Sequence, residues 1–88
     1  MAGRDYENED GNERMKAIRA FNGIYRSLQK KRALRLHTYT DIKSALIEVR
    51  EYGNNGEVKT ICRVKAENET DCHRIAAQQL KWELEKAT

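Results

Sequence analysis

No stretch of the 88 residues approaches the roughly 18 consecutive apolar side chains that a membrane-spanning helix needs. No apolar segment follows an N-terminal basic cluster either, so no secretory signal is expected. Cysteine is scarce. Cys62 and Cys72 are too few for a disulfide framework and form no CxxC pair, which points to buried, reduced thiols in a cytoplasmic protein. His37 and His73 are the only histidines, and no Ser, Cys or Asp is spaced to complete a catalytic triad with either. His73 follows Cys72 directly, but adjacent side chains on a helix diverge by about 100° and no further ligand cluster exists, so a metal site is not expected. The glycine-rich phosphate loops GxxxxGK(S/T) and GxGxxG are both absent. These absences leave a non-enzymatic protein without metal or cofactor.

Charge of one sign is missing from a single stretch, and that stretch organises the rest. Between Arg14 and Thr40 there are eight cations and no Asp or Glu. The first 13 residues hold one base and five acids, and residues 41–88 hold eight bases and nine acids. The net charge of +3 therefore conceals one cationic segment between acidic or balanced neighbours. This segment is also periodic. Ile18, Phe21, Tyr25 and Leu28 recur at helical spacing, while Lys16, Arg19, Arg26 and Lys30 fall within about 80° of one another on the opposite side.

A charged fraction of 35% beside 39% apolar residues suits a folded domain, and 88 residues suffice for one with little stability to spare. Residues 1–13 (MAGRDYENEDGNE) show no period and are expected to form a disordered acidic tail, with an arm lying over the basic helix as the alternative. Residues 14–88 form the single domain. Its first helix should run from Asn12 or Glu13 to Lys31, with Asn12 as cap. Asn22-Gly23 interrupts it, marking either a kink or the close approach of another backbone.

Leu34 to Thr40 alternates: Leu34, Leu36 and Thr38 face one way, Arg35, His37 and Tyr39 the other, as in a half-buried strand. Asp41 to Tyr52 fits either a helix or a strand. The turn Gly53-Asn54-Asn55-Gly56 and the Val-, Ile- and Thr-containing run Glu57 to Lys65 decide for a hairpin. With Asn54-Asn55 as a two-residue loop, Val49 would face Thr60, Ile47 would face Cys62 and Ala45 would face Val64, which aligns one apolar face across both strands. Thr70 or Asn68 should cap a last helix from Asp71 to Lys86. Its apolar face comprises Cys72, Ile75, Ala76, Leu80, Leu84 and Ala87, with Trp82 at its margin as a core residue. The expected fold is α+β, a two-layer helix, three-stranded antiparallel sheet and helix in the order α-β-β-β-α.

This order, with the spacing of Cys72, His73, Ala76, Ala77 and Leu80 in the last helix, resembles the double-stranded-RNA-binding domain. These residues fall on that family's alanine, lysine, paired-alanine and leucine positions. The resemblance implies recognition of duplex RNA. The family's two leading lysine positions fall on Glu69 and Thr70 here, and its glycine-rich turn is absent, so the phosphate grip would pass to the first helix.

Two functions follow. In the first, Lys16, Arg19, Arg26, Lys30, Lys31 and Arg32 contact nucleic-acid phosphates, RNA or DNA, and Arg35, His37 and Tyr39 extend the surface. In the second, the same cations dock on an acidic protein surface, as in a phage-type inhibitor or adaptor. A merely solvated helix face is the bland alternative, but such a face normally mixes signs and gains from i,i+4 pairs. If Leu34 to Thr40 is an edge, a second copy could pair with it to give a homodimer.

Overall fold

The computed structural model describes residues 2–86, with side chains from residue 12 onward. Helix α1 (Ala2–Gln29) is followed by strands β1 (Leu34–Thr40), β2 (Ala45–Tyr52) and β3 (Val58–Ala66) and by helix α2 (Glu69–Lys86). The strands form one antiparallel sheet in the order β1-β2-β3, so β1 and β3 are both edges. This is the expected α-β-β-β-α arrangement, and the segment that fitted helix or strand is strand β2.

Helix α1 begins ahead of the Asn12 or Glu13 start, which removes Asn12 as its cap. The segment expected as a structureless acidic tail is thus helical backbone from Ala2 onward, and the side chains of residues 1–11, on which an arm over the basic helix would depend, lie outside the described residues. The apolar seam of α1 works as the spacing predicts. Ala17, Phe21 and Leu28 are buried, and Ile18, Ile24 and Tyr25 are half-buried. Gly23 lies within the continuous helix and admits no other backbone: a methyl group there would meet nothing within 4 Å.

Both helices lie on one face of the sheet. Phe21 and Leu28 of α1 join Leu34, Ala45, Ile47, Val49, Cys62 and Val64 of the strands and Cys72, Ala76, Ala77 and Leu80 of α2 in one buried cluster. Burying a side chain such as Leu80 or Phe21 in this way contributes about 1.5–3 kcal/mol, and seven of the twelve residues in the cluster are Val, Leu, Ile or Phe. The turns are satisfied locally. Asn68 caps α2, its Oδ1 accepting the Asp71 N–H at 2.8 Å, and Asp41 Oδ1 accepts the Ile42 N–H at 2.7 Å in the β1–β2 turn.

The β2–β3 register differs from the expected one by two residues. Val49 pairs with Cys62, Ile47 with Val64 and Ala45 with Ala66. Two single-residue changes add up to this shift. The loop holds three residues, Asn54-Asn55-Gly56, closed by the Gly53 N–H to the Glu57 carbonyl at 2.8 Å, and Gly56 sits at φ +82°, which only glycine adopts cheaply. A bulge between Val49 and Arg50 then leaves Ile61 as the extra residue of β3. Either change alone would have turned the apolar residues of one strand to the wrong face; together they restore the parity.

Trp82 is not a core residue. It is 57% exposed, and Ile75, one heptad earlier on the same side of α2, is also exposed. The face of α2 that is buried centres on Cys72, Ala76 and Leu80, and among the described residues no third helix covers the Ile75–Trp82 side. Ala87 lies outside the described residues. Trp82→Ala should therefore cost less than about 1 kcal/mol in a denaturant titration, against about 3–5 kcal/mol for a buried aromatic residue.

The two cysteines are free and buried, as their scarcity suggested. Cys72 Sγ lies 3.5 Å from the Ala45 carbonyl oxygen and 3.4 Å from that of Val64, so its thiol proton is used inside the core. Burial, with the nearby Cys72 and Glu83 adding to it, pushes the Cys62 thiol from its ordinary 9.0 up to about 11. The folded state then holds the proton that the unfolded chain releases, so stability falls as pH rises from about 9 to about 11. The full loss is about 2–3 kcal/mol. Unfolding curves under reducing conditions at pH 8 to 11 should show this decline, and Cys62→Ala should reduce it, the Cys72 thiol, which burial also pushes up, contributing the remainder.

Candidate nucleic-acid interface

The cations singled out in the sequence separate into three groups. The first is the outward stripe of α1. Lys16, Arg19 and Arg26 are exposed on the side away from Phe21 and Leu28, Lys30 follows them at the helix end, and Lys31 is exposed just beyond, next to the turn that carries Arg32. From Lys16 to Lys30 it extends about 21 Å at 1.5 Å per residue. Lys16 lies 3.9 Å from Glu13. Among the described residues no carboxylate comes within ion-pair distance of Arg19, Arg26, Lys30 or Lys31. Arg14, at the start of the segment, is held by Glu69 of α2 at 3.1 Å.

The second group is Arg32 alone. Its Nε donates to Glu51 Oε2 at 2.7 Å and its Nη2 to Glu51 Oε1 at 2.8 Å, a two-point grip that ties the α1–β1 turn to the end of β2. Both side chains are mostly buried. The guanidinium holds the Glu51 carboxyl below its ordinary 4.5, chiefly through these hydrogen bonds, and the carboxylate raises Arg32 in turn. Arg32 is thus spent on a fixed partner, and its place is structural.

The third group is the strand trio. Arg35, His37 and Tyr39 project from the face of β1 opposite the helices, because Leu34 and Leu36 take the inner face and Thr40 reaches Glu69 of α2 at 3.2 Å. The trio and the helix stripe therefore lie on opposite layers of the domain. Helix α1 and strand β1 are joined where the Tyr25 hydroxyl donates to the Leu34 carbonyl at 3.4 Å. Burial pushes the Tyr25 phenol up, and the charge of Arg35 partly opposes this.

Sequence reasoning missed the companions of the trio on the same face. Arg50 stands opposite Arg35, Arg63 and Glu48 share the row of His37, and Lys65 and Leu46 share that of Tyr39. Tyr52 pairs with Val58 at the far end. The signal was the alternation of these residues with the buried ones in β2 and β3, but the balanced charge of residues 41–88 concealed it. Of the nine acids that supply the balance, only Glu48 and Glu51 lie in a strand; the other seven lie in loops and α2.

The start of α2 is not basic. Glu69 and Asp71 occupy its first turn. Arg74 is taken by Glu13 at 2.6 Å and Asp71 at 3.7 Å. His73 is half-buried, edge-on to Phe21 with ring centroids 5.5 Å apart, and its Nδ1 lies 2.8 Å from the Glu69 carbonyl oxygen. A carbonyl only accepts, so Nδ1 carries the proton there.

The topology defines a small α+β domain compatible with that of the double-stranded-RNA-binding domain. No family model, curated protein or solved structure matches the chain. Among the described residues no helix is long and apolar enough to cross a membrane, and no cluster of three metal-ligating side chains occurs.

Replacing Arg32 by Ala should cost about 1–2 kcal/mol at neutral pH, the worth of a charged hydrogen-bonded pair that is partly shielded. The sign with pH follows from the lowered Glu51 carboxyl. The pair's contribution is complete above about 4.5 and disappears as pH falls through the folded-state value. Denaturant midpoints of wild type and Arg32→Ala should therefore converge in acid.

Proposed function

We propose that the protein is a non-enzymatic nucleic-acid-binding domain that grips backbone phosphates with the outward stripe of α1. The observation that carries this reading is the set Arg19, Arg26 and Lys30, exposed along one side of α1 with Lys31 exposed just past its end, all free of carboxylate partners among the described residues. Keeping like charges aligned on one helix is unfavourable in the free protein, and a polyanion relieves it. Counterions released from the nucleic acid would supply most of the affinity, with little reading of bases. Duplex RNA suits such a grip, since its bases are hidden in a deep major groove and its phosphates are presented at a regular spacing.

Docking on an acidic protein surface, as an inhibitor or adaptor, would use the same cations. The acidic first turn of α2 favours it, because Glu69 and Asp71 would repel a phosphate backbone reaching from α1 towards α2.

A salt titration of binding to duplex RNA, duplex DNA and a single strand separates these readings. Arg19, Arg26 and Lys30 replaced together by Ala should lower the slope of log K against log salt on duplex by about 2–3, near 0.9 for each lost phosphate contact. Absence of duplex binding at low salt would exclude the phosphate grip and leave the acidic partner.

A further inference from the structure

The open face of the sheet breaks a rule that solvated sheets keep. Like charges directly opposite one another on neighbouring strands are destabilising, yet Arg35 of β1 stands opposite Arg50 of β2. Arg63 and Lys65 extend the same positive area on β3, both exposed. Only one carboxylate, Glu48, occurs among the described residues of this face. Its side chain is 13% exposed and already engaged by Arg50 at 2.5 Å and Arg63 at 3.7 Å, so it orients two guanidinium groups and leaves the area cationic.

Aromatic rings stand at two ends of this area. Tyr39 is 62% exposed beside Leu46 and Lys65, and Tyr52 is 38% exposed beside Val58. They are six residue steps apart along the antiparallel pair, about 20 Å. Both helices are committed to the opposite face, and no other described element covers this one. A cation field alone would suit any polyanion. Exposed rings between and beside arginines, on a flat surface, suit a polyanion with exposed planar groups.

We propose that the outer face of the sheet is a binding platform for single-stranded nucleic acid. Bases stack on Tyr39 and Tyr52, and Arg35, Arg50, Arg63 and Lys65 track the backbone between them. Stacking on an aromatic side chain requires an unpaired base, so a duplex does not fit this surface, whereas the α1 stripe needs only phosphates. The platform is separate from the α1 stripe and does not rest on the duplex reading.

The test uses the full chain with fluorescently labelled single-stranded 12-mers, uridine and thymidine, and a duplex of the same length. Tyr39→Ala and Tyr52→Ala each should weaken single-strand binding by about ten-fold with little change in salt slope. Arg63 and Lys65 replaced together by Ala should lower that slope by about 1.4. Each of these side chains is at least partly exposed, and circular dichroism and a thermal melt establish that each variant is folded. Tyr39→Phe should restore stacking and bind as wild type. The Arg19/Arg26/Lys30 triple variant should retain single-strand binding even where its duplex binding is lost; failure of the duplex arm alone leaves the platform standing. Undiminished single-strand binding in both tyrosine variants would overturn the proposal. So would displacement of the 12-mer by polyglutamate at equal charge concentration, since that would mean a surface for acidic protein, and so would no single-strand binding at low salt.

Discussion

Everything in this domain depends on keeping the apolar side chains of β2 and β3 on one side of the sheet. Side chains alternate along a strand, so a hairpin that slips by one residue sends a whole set to the wrong face. The three-residue loop around Gly56 shifts the pairing by one, and the bulge opposite Val49 and Arg50 shifts it by one more. The result brings Ala45, Ile47 and Val49 level with Ala66, Val64 and Cys62, under both helices. The same parity fixes the far side. Once these residues face inward, Arg50, Arg63 and Lys65 have no choice but to face out beside Arg35, His37 and Tyr39.

The helix layer is governed by a similar economy of faces. α1 uses Phe21 and Leu28 to reach the core, which leaves Arg19, Arg26 and Lys30 directed to solvent. Ion pairs then sort the remaining cations. Arg32 is fixed by Glu51, Arg14 by Glu69 and Arg74 by Glu13, each joining separate elements. A largely shielded pair such as Arg32–Glu51 is costly to redirect to a ligand, whereas an exposed cation, paired at the surface like Arg63 with Glu48 or without a partner like Arg19, loses little by meeting a phosphate. The surface thus divides into cations that hold the domain together and cations available for binding, and these occupy two opposite sides.

Helix α2 shows why position in a pattern does not settle burial. Cys72, Ala76 and Leu80 lie on its sheet-facing side and are fully covered. Ile75 and Trp82 follow the same helical spacing but stay largely exposed. His73 lies on a family lysine position, yet its ring packs on Phe21 and its Nδ1 proton goes to the Glu69 carbonyl. A residue on the flank of an apolar face is buried or exposed according to which neighbour happens to stand beside it.

Periodicity and turn chemistry in the sequence determined the element order, the inner faces of α1 and β1, the existence of the β2–β3 hairpin and the buried thiols, because these depend on interactions between residues close in the chain. The tertiary structure alone decided the two-residue change of register, the exposure of Trp82, the commitment of Arg32 to Glu51 and the union of Arg35, Arg50, Arg63 and Lys65 on one face. Each of these depends on residues distant in sequence. Arg32 and Glu51 are 19 positions apart, and Arg35 and Lys65 lie on opposite edges of the sheet. Local spacing says which way a side chain points from its own element, but only packing says what it meets there.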